Sequence, residues 1–235
     1  MHQKFSVASE FKTENNTLVE FIGDSNTVTI PDGVTCISKL AFFRKDHVKH
    51  LYIPDSVTEI GQLAFYSMTG LTKLQLPADL EIIGEDACAM LNVKELTVPV
   101  GVHVISKGAF GYNHSLKKLT LGKGLLEIGN GAFRACDALT ELTVPQGVKI
   151  IGQYAFSGCS SLCSVTLSEG LEEIGAEAFS GCKNLRTVKI PSSVKSIGYG
   201  AFPDSNKLTV LCHDPKSIPH TWNLGKNIKL KKTES

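Results

Sequence analysis

The dipeptide Ala-Phe recurs along this chain at a fixed spacing, and that recurrence restricts the fold more than any other feature. It stands at Ala41-Phe42, Ala64-Phe65, Ala109-Phe110, Ala132-Phe133, Ala155-Phe156, Ala178-Phe179 and Ala201-Phe202, with Ala87-Cys88 in the remaining slot. The step is 23 residues, except for one step of 22 between Ala87 and Ala109. Each unit reads L-x-x-L-x-[LI]-P-x-x-[VL]-x-x-I-G-x-x-A-F-x-x-C, with clean copies at residues 139–159 and 162–182. A unit this short cannot bury its own apolar face, but stacked units share one continuous core, so the period predicts a solenoid. Counting the first Leu as position 1 places Val48, Leu71, Val93, Leu116, Leu139, Leu162, Leu185 and Leu208 in register.

Within a unit, positions 4 and 6 are apolar around a polar residue, as in Leu142-Thr143-Val144. That alternation predicts a short strand with one buried face. Proline at position 7 lacks the N–H of a ladder and ends it. Glycine at position 14, as at Gly152 and Gly175, is expected to supply a turn of positive φ. The Ala-Phe stretch has room for about one helical turn. Stacked units then give a parallel sheet with strands about 4.8 Å apart and a spine of position-18 phenylalanines on the other side.

The string P-x-x-V-x-x-I-G-x-x-A-F-x-x-C resembles the BspA-like class of leucine-rich repeats, over roughly residues 25–213. The resemblance implies an α/β leucine-rich-repeat solenoid: right-handed, with 23-residue repeats, a parallel sheet on the concave side and short helical turns on the other. Many members of that class are cell-surface proteins that attach to other proteins. The implied function is a non-enzymatic protein–protein interaction scaffold, adhesion-like. The alternative is a structural spacer or fragment of a larger surface protein.

One domain is expected over 1–235: a hairpin cap and first partial repeat over 1–31, repeats over 32–213, and a C-terminal cap and tail over 214–235. The hairpin would pair residues 17–22 with 27–30 through the turn formers Gly23-Asp24-Ser25-Asn26. At the other end Ile218, Trp222, Leu224, Ile228 and Leu230 are expected to cover the last unit, ahead of a frayed LKKTES tail.

Composition removes several functions. The net charge is +1, which gives no field favouring nucleic acid or an anionic membrane, and no apolar run approaches membrane-spanning length. The partner is therefore expected to be a protein, with no nucleic acid and no membrane insertion. Residues 1–11 lack the apolar stretch of a secretory signal. As read, the chain belongs inside the cell, or on its surface if leader and anchor lie outside it. Seven cysteines cannot all pair within the chain. Cys136, Cys159 and Cys182 recur at position 21 and are expected to be buried free thiols, not a metal or redox ladder. His47 and His50 form HxxH, and Cys212 adjoins His213, but neither pair finds the third ligand a metal needs. His213 falls at a core-type position 6. Neither a phosphate loop nor G-x-S-x-G occurs, so no catalytic residue, cofactor or metal is assigned. Asn15-Asn16-Thr17 and Asn113-His114-Ser115 match the glycosylation sequon.

The candidate site is the outward face of the sheet, formed by positions 3 and 5. Position 3 carries His50, Lys73, Glu95, Lys118 and Glu141, ending at Val210; position 5 carries Tyr52, Gln75 and a run of threonines, ending at Cys212. The alternating Lys73, Glu95, Lys118 and Glu141 form either a recognition strip or a set of cross-strand pairs. Tyr52 is the one aromatic in these columns, so partner contact is expected to centre on His50, Tyr52, Lys73 and Gln75, with the later charges as flank. The unit with the 22-residue step is expected to be irregular around residues 87–93, with Met90 or Leu91 filling the space left by the missing phenylalanine.

Overall fold

The computed structural model describes residues 10–202, 208–213 and 228–232. The chain winds into a parallel β-solenoid in which the units contribute short strands to two ladders, one to each, except that the unit beginning at Leu71 contributes only to the second. The first ladder is built from position-3-to-5 strands: β3 (Thr27–Thr29), β5 (His50–Tyr52), β8 (Glu95–Thr97), β10 (Lys118–Thr120), β12 (Glu141–Thr143), β14 (Ser164–Thr166), β16 (Thr187–Lys189) and β18 (Thr209–Cys212). The second collects two-residue strands at positions 12 and 13: β4 (Cys36–Ile37), β6 (Glu59–Ile60), β7 (Ile82–Ile83), β9 (Val104–Ile105), β11 (Glu127–Ile128), β13 (Ile150–Ile151), β15 (Glu173–Ile174) and β17 (Ser196–Ile197). This second ladder is not evident from sequence. Its strands are too short to show alternation, and their only mark is the buried Ile of I-G.

None of the described residues is helical, so the expected α/β class and helical turns are corrected to an all-β solenoid. The reason lies in where the backbone N–H groups go. At positions 16, 18 and 20 they donate to the next unit: Tyr154 N–H to Ala176 O at 3.0 Å, Phe156 to Ala178 at 2.8 Å, Gly158 to Ser180 at 2.7 Å. The residues between them close tight turns, as in Ser157 N–H to Tyr154 O at 3.0 Å. An α-helix needs those same N–H groups for the carbonyl four residues back. Positions 16 and 20 take the left-handed conformation that makes this possible, mostly without glycine: Leu63, Ser67, Tyr154 and Glu177 have φ of 57, 58, 57 and 54°.

The position-14 glycines have another purpose than the one expected. Gly152 and Gly175 are not at positive φ. A Cβ on Gly175 would lie 2.5 Å from the Gln153 backbone nitrogen, and one on Gly152 2.7 Å from that of Asn130. Glycine is required because successive turns touch there.

The core is one continuous cluster from Leu18 to Val210. Its axis is the expected phenylalanine spine. Phe110, Phe133, Phe156, Phe179 and Phe202 stack at 5.3–5.5 Å with near-parallel rings, and Phe21, Phe42 and Phe65 extend the column on the other side of Cys88.

The N-terminal cap is a hairpin, but not the expected one. β1 (Phe11–Glu14) pairs antiparallel with β2 (Thr17–Phe21) around Asn15-Asn16, both at positive φ, as a type I′ turn demands. β2 then joins the second ladder through β4, while β3 starts the first through β5. Residues 23–26 thus carry the chain between ladders. At the C-terminus β19 (Lys229–Lys232) pairs with β18, so part of the expected tail is a strand, and Ile228 packs against the core. Ile218, Trp222 and Leu224 lie outside the described residues. The last unit also shifts register: Val188 faces Val210. Val210 and Cys212 are therefore buried and His213 is exposed, the reverse of their expected sides.

The 22-residue unit is where both ladders break. β7 and β9 belong to different sheets, and so do β5 and β8. Leu91 is buried, whereas Met90 stays exposed. Shortening the turn leaves the Leu91 N–H and the Cys88 carbonyl without the bond that Cys136 N–H makes to Phe133 O in a full-length unit. Asn113, fully buried at position 21 of the next unit, supplies both partners. Its Oδ1 accepts from Leu91 N at 2.9 Å, and its Nδ2 donates to Cys88 O at 2.9 Å and Phe110 O at 2.8 Å.

Candidate functional site: the outward face of the first ladder

The alternation that buries Leu51, Leu74, Leu96 and Leu142 turns the residues beside them outward. His50, Tyr52, Lys73, Gln75, Glu95, Lys118 and Glu141 are all exposed. Tyr52 is well exposed for an aromatic side chain, at 59%. His50, Tyr52, Lys73 and Gln75 line one shallow depression, so the structure brings the expected centre together. The charged column does not pair with itself. Glu95 and Lys118 are register partners, yet among the described residues no ion pair joins Lys73, Glu95, Lys118 and Glu141. The cross-strand pairing considered from sequence is therefore not formed. Breaks in the ladder separate Lys73 from Glu95 and Lys118 from Glu141.

These breaks shape the face. Residues 72–76 make no backbone hydrogen bond to either neighbouring unit, among the described residues. A cleft of about 700 Å³ opens between them and β8, floored by Leu74, Leu76 and Leu96 and rimmed by Lys73, Lys94 and Glu95. A second cleft of about 830 Å³ separates β10 from β12, between Thr120 and Gln146.

Residues 21–117 and 81–209 match the BspA type leucine rich repeat region (6 copies). The chain belongs to the BspA-type leucine-rich-repeat family. This BspA-type solenoid is similar to a leucine-rich repeat protein from Bacteroides ovatus, with 28% identity and a TM-score of 0.75 over 87% of this chain and 51% of that one. It thus spans about half the length of that relative. It is also similar to the leucine-rich repeat protein of T. pallidum, with 31% identity and a TM-score of 0.65 over 72% of this chain and 82% of that one. A leucine-rich repeat protein from Eubacterium ventriosum shares the fold at 22% identity and a TM-score of 0.54, over 90% of this chain and 50% of that one. A search of the curated proteins finds no match.

Other groups of the BspA-type solenoid have chemistry of their own. Cys136, Cys159 and Cys182 are unpaired and buried, each with its thiol donating to the position-18 carbonyl of the preceding unit at 3.3–3.4 Å. Burial pushes all three pKa values up, that of Cys159 to about 12. They are held as packing groups and not as nucleophiles. Among the described residues no three His, Cys, Asp or Glu converge to hold a metal; His47 stacks against Phe21 at 6.2 Å instead. Nor is any helix among them long and apolar enough to cross a membrane.

A second set of aromatic contacts lies on the turn side. On the turn side Arg134 lies 5.8 Å from the rings of both Tyr112 and Tyr154, and Phe43 stacks on Tyr66 at 5.4 Å. These residues sit at positions 16, 19 and 20 of different units. No single column of the repeat shows the Tyr112–Arg134–Tyr154 cluster.

Proposed function

We propose that this chain is a non-enzymatic scaffold that binds a protein partner through the outward face of the first ladder, in an adhesion-like manner. Contact centres on His50, Tyr52, Lys73 and Gln75, and Glu95, Lys118 and Glu141 form the flank. The observation that carries this reading is the unpaired charged column beside an exposed tyrosine. Four exposed charges of alternating sign, with no partner among themselves, remain available to a complementary surface and favour orientation and encounter rate over raw affinity. Tyr52 supplies the large amphipathic anchor that interface centres favour. A net charge of +1 supports a protein partner over nucleic acid or a lipid surface.

The test is affinity capture with the purified chain as bait, from lysate and from extracellular matrix, read by mass spectrometry beside Tyr52→Ala/Lys73→Ala. The reading expects one or more proteins captured by the parent and lost by the double variant at unchanged circular dichroism. A second reading, a spacer within a longer surface protein, draws on the chain's spanning about half of the Bacteroides ovatus protein. It expects capture that neither this variant nor the charge reversal Glu95→Lys/Lys118→Glu alters.

A further inference from the structure

We infer that the interruption of the first ladder between β5 and β8 is a docking groove for an extended segment of a partner protein, held there by backbone hydrogen bonds. This rests on the reading that the same face binds a protein, and it names the conformation of the segment bound. Residues 72–76 carry the argument. Among the described residues, none of the five donates or accepts a backbone hydrogen bond, yet Leu74 and Leu76 remain buried. The segment is thus pinned by its side chains while its N–H and C=O groups stay free. Backbone groups in a folded chain are nearly always paired, and leaving one unpaired away from water is costly. Successive residues turn these groups to opposite sides of the segment, so alternate ones face the open cleft toward β8. The opposite bank matches: β8 pairs with β10 alone, so the backbone groups of Glu95 and Thr97, which face residues 72–76, are also unpaired.

The short unit coincides with the opening toward β8. It breaks both ladders at one place, and Asn113 repairs the buried turn on the far side of the unit but nothing repairs the ladder. The cleft of about 700 Å³ falls in the range of ligand sites. An extended chain suits it for two reasons. It presents alternating donors and acceptors along its length, the chemistry both banks lack. Its side chains also alternate, so every second residue would meet the leucine floor while the others meet Lys73, Lys94 and Glu95 at the rim. The cleft between β10 and β12 is the weaker candidate, because β12 keeps its pairing with β14.

The probe is a capped, fluorescent peptide of residues 140–145, TELTVP, whose parent strand already pairs in parallel within this fold. It is titrated against the full chain by anisotropy, with hydrogen exchange read at residues 72–76 and 95–97. The inference expects fast exchange at residues 72–76 in the free protein, slowing at least tenfold when the peptide is bound. N-methylation of alternate peptide amides should weaken binding at least tenfold. Inserting one residue after Asn92, to restore the 23-residue step, should protect residues 72–76 without peptide and abolish binding. Slow exchange in the free protein, absence of peptide binding, or affinity indifferent to N-methylation each overturn it. Protection that appears only at high protein concentration with doubled mass also overturns it, by making a second copy the occupant. Failure here is separable from failure of the face itself. If the peptide does not bind but Tyr52→Ala/Lys73→Ala still loses its captured protein, strand docking falls and the binding face stands.

Discussion

Asn113→Ala removes the one buried polar side chain among the described residues and orphans three backbone groups at once. Leu91 N–H loses its acceptor, and the Cys88 and Phe110 carbonyls lose a donor, at 2.8–2.9 Å each. Each orphaned buried group costs about 1–3 kcal/mol. The lower end applies to Phe110 O, which still accepts the Cys136 thiol at 3.4 Å. The expected loss is therefore roughly 3–7 kcal/mol by the same per-group figures, concentrated at the short unit because solenoid units couple mainly to their neighbours. Asn113→Asp should lose a similar amount, since a carboxylate accepts from Leu91 but cannot donate to either carbonyl. Urea unfolding gives the total, and native-state hydrogen exchange at Leu91 gives its location. Inserting one residue after Asn92 should make the asparagine dispensable, so the two changes should be strongly non-additive. A loss below about 1 kcal/mol, the net value of a single hydrogen bond, or unchanged Leu91 protection, would refute the repair role.

Native thiol titration should label the exposed Cys163 quickly and leave Cys136, Cys159 and Cys182 unreacted until denaturant is added; fast native labelling of those three contradicts their burial. Their raised pKa values also set an alkaline limit. Above pH about 9 the unfolded thiols ionise first, the native state holds more protons, and stability should fall as pH rises toward 12; a flat stability over pH 9–11 contradicts this. Gly175→Ala places a methyl group against the Gln153 and Gly152 backbone and should cost about 1–3 kcal/mol, as overpacking does, whereas a variant as stable as the parent removes the close-contact reason for position 14. If the chain is expressed through a eukaryotic secretory route, only Asn15 of the two sequon asparagines should carry glycan in folded protein, because the Asn113 amide is buried and fully bonded; occupancy at Asn113 in folded material argues against this.

Much of the fold was legible because period and burial coincide. The 23-residue step, the inward leucines and the phenylalanine spine follow from which residues are apolar. The turn side was misread because Ala-Phe-x-x is compatible with a helix locally. Its N–H groups bond instead to a unit 23 residues away, which no local pattern shows. The last strand slipped for a related reason: Val210 and Cys212 are both apolar, and burying them decided the register over the motif count. In the candidate site, the outward positions of His50, Tyr52 and Lys73 followed from alternation. The cleft did not, since it depends on which backbone groups of residues 72–76 go unpaired, and neither did the Tyr112–Arg134–Tyr154 cluster, drawn from three positions of three units.

The most direct test of a first-ladder binding face is a paired capture experiment. Tyr52→Ala/Lys73→Ala on the strand face is compared with Tyr112→Ala/Tyr154→Ala on the turn face, both confirmed folded by circular dichroism. The strand-face variant is predicted to lose the captured protein and the turn-face variant to retain it. Retention by the first and loss by the second would contradict the assignment and move the binding surface to the turns.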